Sequence, residues 1–306
     1  MCNRKAFSML ELIFVIVVVG ILSKFGVEFL AQAYRNFIFS NINNRLQAQS
    51  EAAVEFIAKR LEHRIKSSAI TRQGLGGVVT SIKDASVSGN TWTVLEWIAE
   101  DVDGFRGTTT ANWSGILDLD DAGTTQTTLR SPGTNFADTA TSITNLGGLG
   151  IADAAIHFVR GNQDFLGFGW NGLPNNVSDR SIHPVGTNAN GFTPTGNSAG
   201  VGATFQGAEV FEFYKLAWTA YGIFLDQNDD LWLYYNYQPW RNQSINNGVV
   251  RQLIMQNVSS FQFRPVDELL KIQVCVHSGG LISGDANDDT ATVTGGYAIC
   301  KEKTVF

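Results

Sequence analysis

The chain has 306 residues, a formal net charge of −6, 44% hydrophobic residues and only 16% charged ones. This supports one large domain or two small ones with a real core. No basic stretch is long enough to follow a phosphate backbone, which excludes a nucleic-acid interface built on electrostatics. The 31 glycines, many beside Thr, Asn and Ser, point to a turn-rich β protein.

Arg4 and Lys5 precede an apolar run from Phe7 to Leu22 that Glu11 interrupts once. The run is long enough to enter a bilayer, and its basic flank holds the N-terminus on the cytoplasmic side. A carboxylate inside it costs roughly 2.5–3.5 kcal/mol on insertion scales and therefore requires a partner. An ordinary secretory signal peptide would be cut after Ala31-Gln32-Ala33. Against that, Glu11 breaks the apolar region, and Lys24 and Glu28 stand before the cut. A plain single-span anchor accounts for the apolar run and leaves Glu11 without a purpose.

Beyond Leu22 the pattern becomes amphipathic. Ile42, Leu46, Ser50, Val54, Ile57, Leu61 and Ile65 recur at three- and four-residue steps. Glu55 with Lys59 and Glu62 with Lys66 form i, i+4 pairs on the other side. No proline precedes Pro132. One helix is expected from about Phe7 to about Ser68, ended by Gly74, Gly76 and Gly77. At 1.5 Å per residue it spans roughly 90 Å. One small domain cannot bury it, so its first half needs lipid or other copies around it.

From about Val78 the pattern is β. Thr91 to Ile98 is β-prone and holds Trp92 and Trp97. Tyr221 to Tyr235 reads as a hairpin around Asp226-Gln227-Asn228-Asp229-Asp230, and Leu231 to Tyr237, apolar on both faces, as a central strand. Phe261 and Phe263 alternate with Gln262 and Arg264 in a strand that Pro265 is expected to stop. Leu270, Ile272, Val274 and Val276 alternate with Lys271, Gln273, Cys275 and His277, giving a strand with one buried face. Between about Asp101 and Gln206 the Gly-, Thr-, Asn- and Ser-rich sequence has short apolar islands such as Ala155 to Val159. It reads as loop-rich elaboration of the sheet edge.

Chemical motifs are weak. Gly196-Asn197-Ser198-Ala199-Gly200 matches the pattern of a nucleophile elbow but follows Pro194 and polar loop residues rather than a strand. Gly167-Phe168-Gly169-Trp170-Asn171-Gly172 matches G-x-G-x-x-G without a following helix to receive a phosphate. His63, His157, His183 and His277 have no ligand-like spacing. Asp226-x-Asn228-x-Asp230 and Asp285-x-Asn287-x-Asp289 begin like calcium loops. Neither has Gly at the sixth position, and Asp and Asn also favour hairpin turns.

The segment Ala6-Phe7-Ser8-Met9-Leu10-Glu11 resembles the processing site of type IV prepilins and pseudopilins, with Ala6 where the family usually has Gly. The resemblance implies cleavage between Ala6 and Phe7 by a prepilin peptidase and N-methylation of Phe7. It further implies that Glu11 pairs with the Phe7 amino group of a neighbouring subunit, in line with the need to pair a buried charge. Gly20 fits the family habit of a helix-weakening glycine early in the mature chain. The order of hairpin, Leu253–Val258, Phe261–Phe263 and Leu270–Val276 resembles the J-type minor pseudopilins of type II secretion.

The fold expected from this resemblance is α+β, a long N-terminal helix packed on an antiparallel β head with loop-rich insertions. The divisions are a leader at 1–6, a helix at 7–70 with its membrane segment at about 7–29, and a β-rich head at 78–306. The expected role is a structural filament subunit, with no catalytic residues, in the bacterial inner membrane with its head in the periplasm, then in a pilus or pseudopilus. The expected partners are other subunits, the peptidase and the inner membrane, with no nucleic acid. No cofactor is expected except calcium at Asp285, Asn287 and Asp289, favoured because some pseudopilins bind calcium near their C-terminus. A surface adhesin, displaying aromatics such as Trp113 and Trp170, and a membrane-tethered enzyme are the alternatives. With Cys2 in the leader, Cys275 and Cys300 remain as a pair. After export they are expected to form a disulfide rather than two buried thiols, worth about 3 kcal/mol in the chain-entropy model.

Overall fold

A computed structural model describes residues 9–84, 92–189, 191–196, 202–247, 249–278 and 298–306. The chain opens with α1 (Met9–Leu61), followed by β1 (Ile70–Arg72), β2 (Val79–Ser81), β3 (Val94–Ala99), α2 (Val102–Arg106) and α3 (Phe136–Asn145). Next come β4 (Ala155–Phe158), β5 (His183–Asn188), β6 (Gly191–Pro194), β7 (Tyr214–Ala217), β8 (Thr219–Leu225) and β9 (Leu231–Tyr237). Then β10 (Val250–Met255), β11 (Val258–Val266), β12 (Leu269–His277) and β13 (Ala298–Val305) complete the α+β chain. The strands form three antiparallel sheets, ordered β10-β9-β8-β3-β1-β2, β6-β5-β4-β7 and β11-β12-β13.

α1 ends at Leu61, about seven residues before the point its sequence suggests, because the next residues are claimed by the sheet. His63 O accepts from Glu100 N at 2.9 Å, and Ile65 N donates to Ile98 O at 2.9 Å. Arg64 closes the helix end, with Nη1 donating to Leu61 O and to Phe306 O, each at 2.8 Å. Glu62 and Lys66 therefore never become helical neighbours. The glycines serve a different turn, between β1 and β2, where Gly74 adopts a φ of 65° and Gln73 N donates to Val78 O.

The lower half of α1 lies between two sheets. Leu46, Val54, Ile57 and Leu61 pack with Leu95, Trp97, Ile223 and Leu233 of the six-stranded sheet and with Ile272, Val274 and Val276 of β12. These β12 residues are the buried face the alternation indicates. β13 runs alongside α1 in the same direction. Lys301 reaches Glu51 and Lys303 reaches Glu55. The two-residue strand step of about 6.7 Å matches a four-residue helix step of about 6 Å. β11 continues through Pro265 to Val266 instead of stopping there. It is an edge strand, where a residue without an N–H removes no necessary ladder bond.

β3 is buried at all six positions. Its Leu95 and Trp97 meet α1, while Val94 and Ile98 join a second cluster with Phe168, Trp170 and Trp240. The region from Asp101 to Gln206, expected as loop elaboration, instead contributes three strands to the four-stranded sheet. It also has its own cluster around Trp113, Ile143, Ile156 and Phe192. Leu231–Tyr237 lies between β8 and β10, as its two apolar faces require.

One charged pair sits inside this architecture. Glu96, fully buried, accepts from Arg72 Nε at 2.6 Å and from the Tyr237 hydroxyl at 2.8 Å. The opposing residue on β8 is Gly222, and a Cβ there would meet Ile245 Cδ1 at 2.4 Å and the Tyr237 hydroxyl at 3.2 Å. Removing one member of a buried pair strands the other charge. Arg72→Met is expected to cost about 3–5 kcal/mol, and adding Glu96→Gln should recover part of that loss. Urea unfolding of the two variants checks this, and a double variant weaker than Arg72→Met would contradict it.

Candidate functional site

The part of the chain that calls for function is the upper half of α1. Its N-terminal region is apolar enough to cross a membrane, and none of that stretch is buried against the rest of the chain. Phe29 is 71% exposed and Phe37 64%, and exposed large apolar residues run from Met9 to Phe39, accompanied beyond Leu22 by a polar line of Lys24, Glu28 and Arg35. So much exposed apolar helix surface requires a surrounding of lipid or protein. Glu11 stands in its first described turns, on the exposed surface. Ala6 and Phe7 lie outside the described residues, and of the segment from Ala6 to Glu11 the structure places Met9, Leu10 and Glu11.

The second predicted feature is formed. Cys275 and Cys300 face each other across β12 and β13 and are joined in a disulfide. Cys275 is on the face away from Ile272 and Val274, so the bridge staples the sheet from outside while β13 lies along α1. Asp285, Asn287 and Asp289 fall outside the described residues, as does Ser198. The earlier acidic loop is a hairpin turn. Asp226 Oδ1 accepts from Asn228 N at 2.8 Å and Asp230 N at 3.1 Å, and Oδ2 accepts from Trp232 Nε1 at 3.0 Å. That carboxylate is occupied in shaping the loop. Among the described residues no group of three His, Cys, Asp or Glu is placed to hold a metal.

Several ionisable groups are buried in the head, and each has a structural partner. Asp101 caps α2 through Gly104 N at 3.1 Å and accepts from Trp113 Nε1 at 3.1 Å; burial pushes its carboxyl up to about 6. His157 Nδ1 contacts Ser181 O at 2.6 Å, and burial pulls this imidazole down to about 4. His183 sits beside the rings of Phe158 and Phe205, and burial, aided by Arg180, lowers it to about 3. The two histidines, 26 residues apart in sequence, are brought together because Ile156 of β4 pairs with His183 of β5. Sequence spacing carried no signal for this.

The G-x-G-x-x-G segment is a packing device. Phe168 and Trp170 are buried, and a Cβ at Gly169, whose φ is 91°, would meet Pro239 O at 2.8 Å. Trp113 and Trp170, the aromatics that would mark a display surface, are only 1% and 4% exposed. Both indoles donate to backbone carbonyls, of Asp101 and Ser68 respectively. Comparison with protein-family models, curated proteins and solved structures returns no match.

The buried histidines make acid stability testable. An unfolded chain protonates them near pH 6.5, whereas the folded head resists until about 4 and about 3. Between those limits the unfolded state binds more protons, so their contribution falls as pH drops. Asp101 works in the opposite direction, since its raised carboxyl takes up a proton first in the folded state. His183→Leu removes one destabilising proton. Between about pH 6.5 and 4.5 it should lose about 2 kcal/mol less stability than the parent. Thermal melts across that range check it, and equal slopes would overturn it.

Proposed function

We propose that this chain is a structural filament subunit, a minor pilin or pseudopilin anchored in the inner membrane and assembled through α1. The observation that carries the reading is a mismatch of lengths. The exposed apolar surface from Met9 to Phe39 is about 45 Å long at 1.5 Å per residue, against a hydrocarbon core of about 30 Å. Lipid covers part of that helix and leaves the apolar side of at least two further turns, with Tyr34 and Phe37, for protein. Other copies of the same helix are the economical partner. Glu11 supports the reading, because a carboxylate in an apolar environment requires a positive partner. The large head, with an additional sheet beside the one that covers α1, suits a filament tip better than a tightly stacked shaft.

Display of aromatics for adhesion loses its motivating feature, because Trp113 and Trp170 are buried in the head. The subclass, J-type pseudopilin of type II secretion, rests on the order of strands from the β8–β9 hairpin to β12.

Two measurements test the proposal. Mass spectrometry of the purified protein should find a chain beginning at a methylated Phe7; a chain beginning after Ala33 would restore the secretory reading. Glu11→Ala should insert into the membrane at least as well as the parent, since a cost of roughly 2.5–3.5 kcal/mol is removed. The head should melt unchanged, yet incorporation into filaments should fall, as scored by fractionation and pull-down. Normal assembly would show that Glu11 has a different role.

A further inference from the structure

Charge is divided unevenly along the chain. Residues 9–77 carry eight Lys or Arg against five Asp or Glu, a net of +3. Residues 78–306 carry twelve against twenty-three, a net of −11. Much of that positive charge lies where the head already holds the chain, Arg64 and Arg72 being buried there. The exposed arm from Met9 to Phe39 carries Lys24 and Arg35 against Glu11 and Glu28, so its attraction to the acidic head depends on where those charges stand.

The arm's charges are also ordered around the helix. At 3.6 residues per turn, Lys24, Glu28 and Arg35 fall within about 40° of one another. Leu46, Ala53 and Ile57 lie in the same sector further along, and there the sheets bury them to 5%, 3% and 0% exposure. The stripe is thus the N-terminal continuation of the face that the chain's own head covers. All three charges are exposed, and none forms an ion pair within the chain among the described residues.

The matching surface is the rim of the head nearest the exposed helix. Register identifies that rim: β13 meets Glu51 through Lys301 and reaches Arg64 at Phe306. The Ala298 end of β13, with His277 opposite it, therefore points toward the N-terminal part of α1. His277 touches Asp229 at 3.1 Å, which places the β8–β9 turn on the same rim. Asp226 is occupied within that turn, whereas the Asp229 side chain is 52% exposed and Asp230 is half-buried beside it.

We infer that the Lys24–Glu28–Arg35 stripe of one copy docks against the acidic rim of a second copy's head, with Lys24 and Arg35 facing Asp229 and Asp230. This rests on the filament reading and adds the partner surface and the stagger. The stripe lies 7 to 18 residues before Ile42, where the head begins to cover α1. Parallel copies are accordingly offset along the helix axis by about 10–27 Å. Anionic lipid head groups share the chemistry of the rim, but Glu28 in the middle of the stripe repels a uniformly anionic surface.

The test uses the full chain in micelles of a neutral detergent, where copies can slide along one another by the proposed offset, as an equal mixture of isotope-labelled and unlabelled copies. Arg35→Lys keeps the charge and gives a primary amine, so a carbodiimide can join it to a carboxylate in contact. Cross-linked peptides of mixed isotope composition are expected between position 24 or 35 and Asp229 or Asp230. Replacing both acids by Asn leaves no carboxylate to activate, so these links should vanish, and association of the copies should weaken with them, the head's melting temperature reporting that it still folds. Association of copies without mixed links at these positions overturns the inference and leaves the filament reading standing. Mixed links that appear only when anionic lipid is added assign the stripe to the membrane and also overturn it. Copies that never associate remove the filament reading and this inference with it.

Discussion

The structure depends on the burial of the lower half of α1 between two sheets. Ile57 and Leu61 are completely enclosed, and their surroundings come from β3, β8, β9 and all three strands of the last sheet. The same helix, twenty and more residues earlier in the chain, is exposed. A single continuous element therefore has one half solved by its own chain and one half left to its surroundings. Nearly every other feature follows from holding that division in place. β3 must be a fully buried strand because it carries the contact with α1 on one face and the second cluster on the other. Burial disfavours the charged form of Glu96, and the hydrogen bonds from Arg72 and Tyr237 work against that penalty.

The division of labour along α1 was legible in the sequence because the helical period persists across it. Ile42, Leu46, Val54, Ile57 and Leu61 mark the head-facing side, and the apolar run from Met9 to Leu22, broken only by Glu11 and Gly20, marks the start of the uncovered part. β12 was equally plain, since four apolar residues alternate with four polar ones and only one face is buried. The end of α1 was not legible. It is decided by Glu100 and Ile98 of β3, which bond to His63 and Ile65, and no local propensity encodes a partner more than thirty residues away.

The four-stranded sheet was missed for a related reason. β4, β6 and β7 have four residues each, too few for an alternating pattern to stand out among Gly, Thr and Asn. Of these only β4 showed as an apolar island. The histidine pair and the Arg72–Glu96–Tyr237 group depend on strand pairing and gave no sign in spacing. Of the candidate site residues, the Cys275–Cys300 pairing was readable from the parity of cysteines once Cys2 is assigned to an expected leader.

The parallel course of β13 beside α1 has a mechanical consequence. A pull on α1 against a held head runs first through the covalent chain at His63 and Ile65 into β3, and the Lys301–Glu51 and Lys303–Glu55 contacts pass a smaller share into β13, along the direction of the strand. β13 is bonded to β12 over eight register positions, from Leu270–Val305 to His277–Ala298. Tension along the strand shears these bonds together instead of opening them one at a time. The Cys275–Cys300 bridge lies within that ladder and takes the load covalently. The share of a pull along α1 that reaches β13 therefore meets a ladder loaded in shear and a covalent bridge.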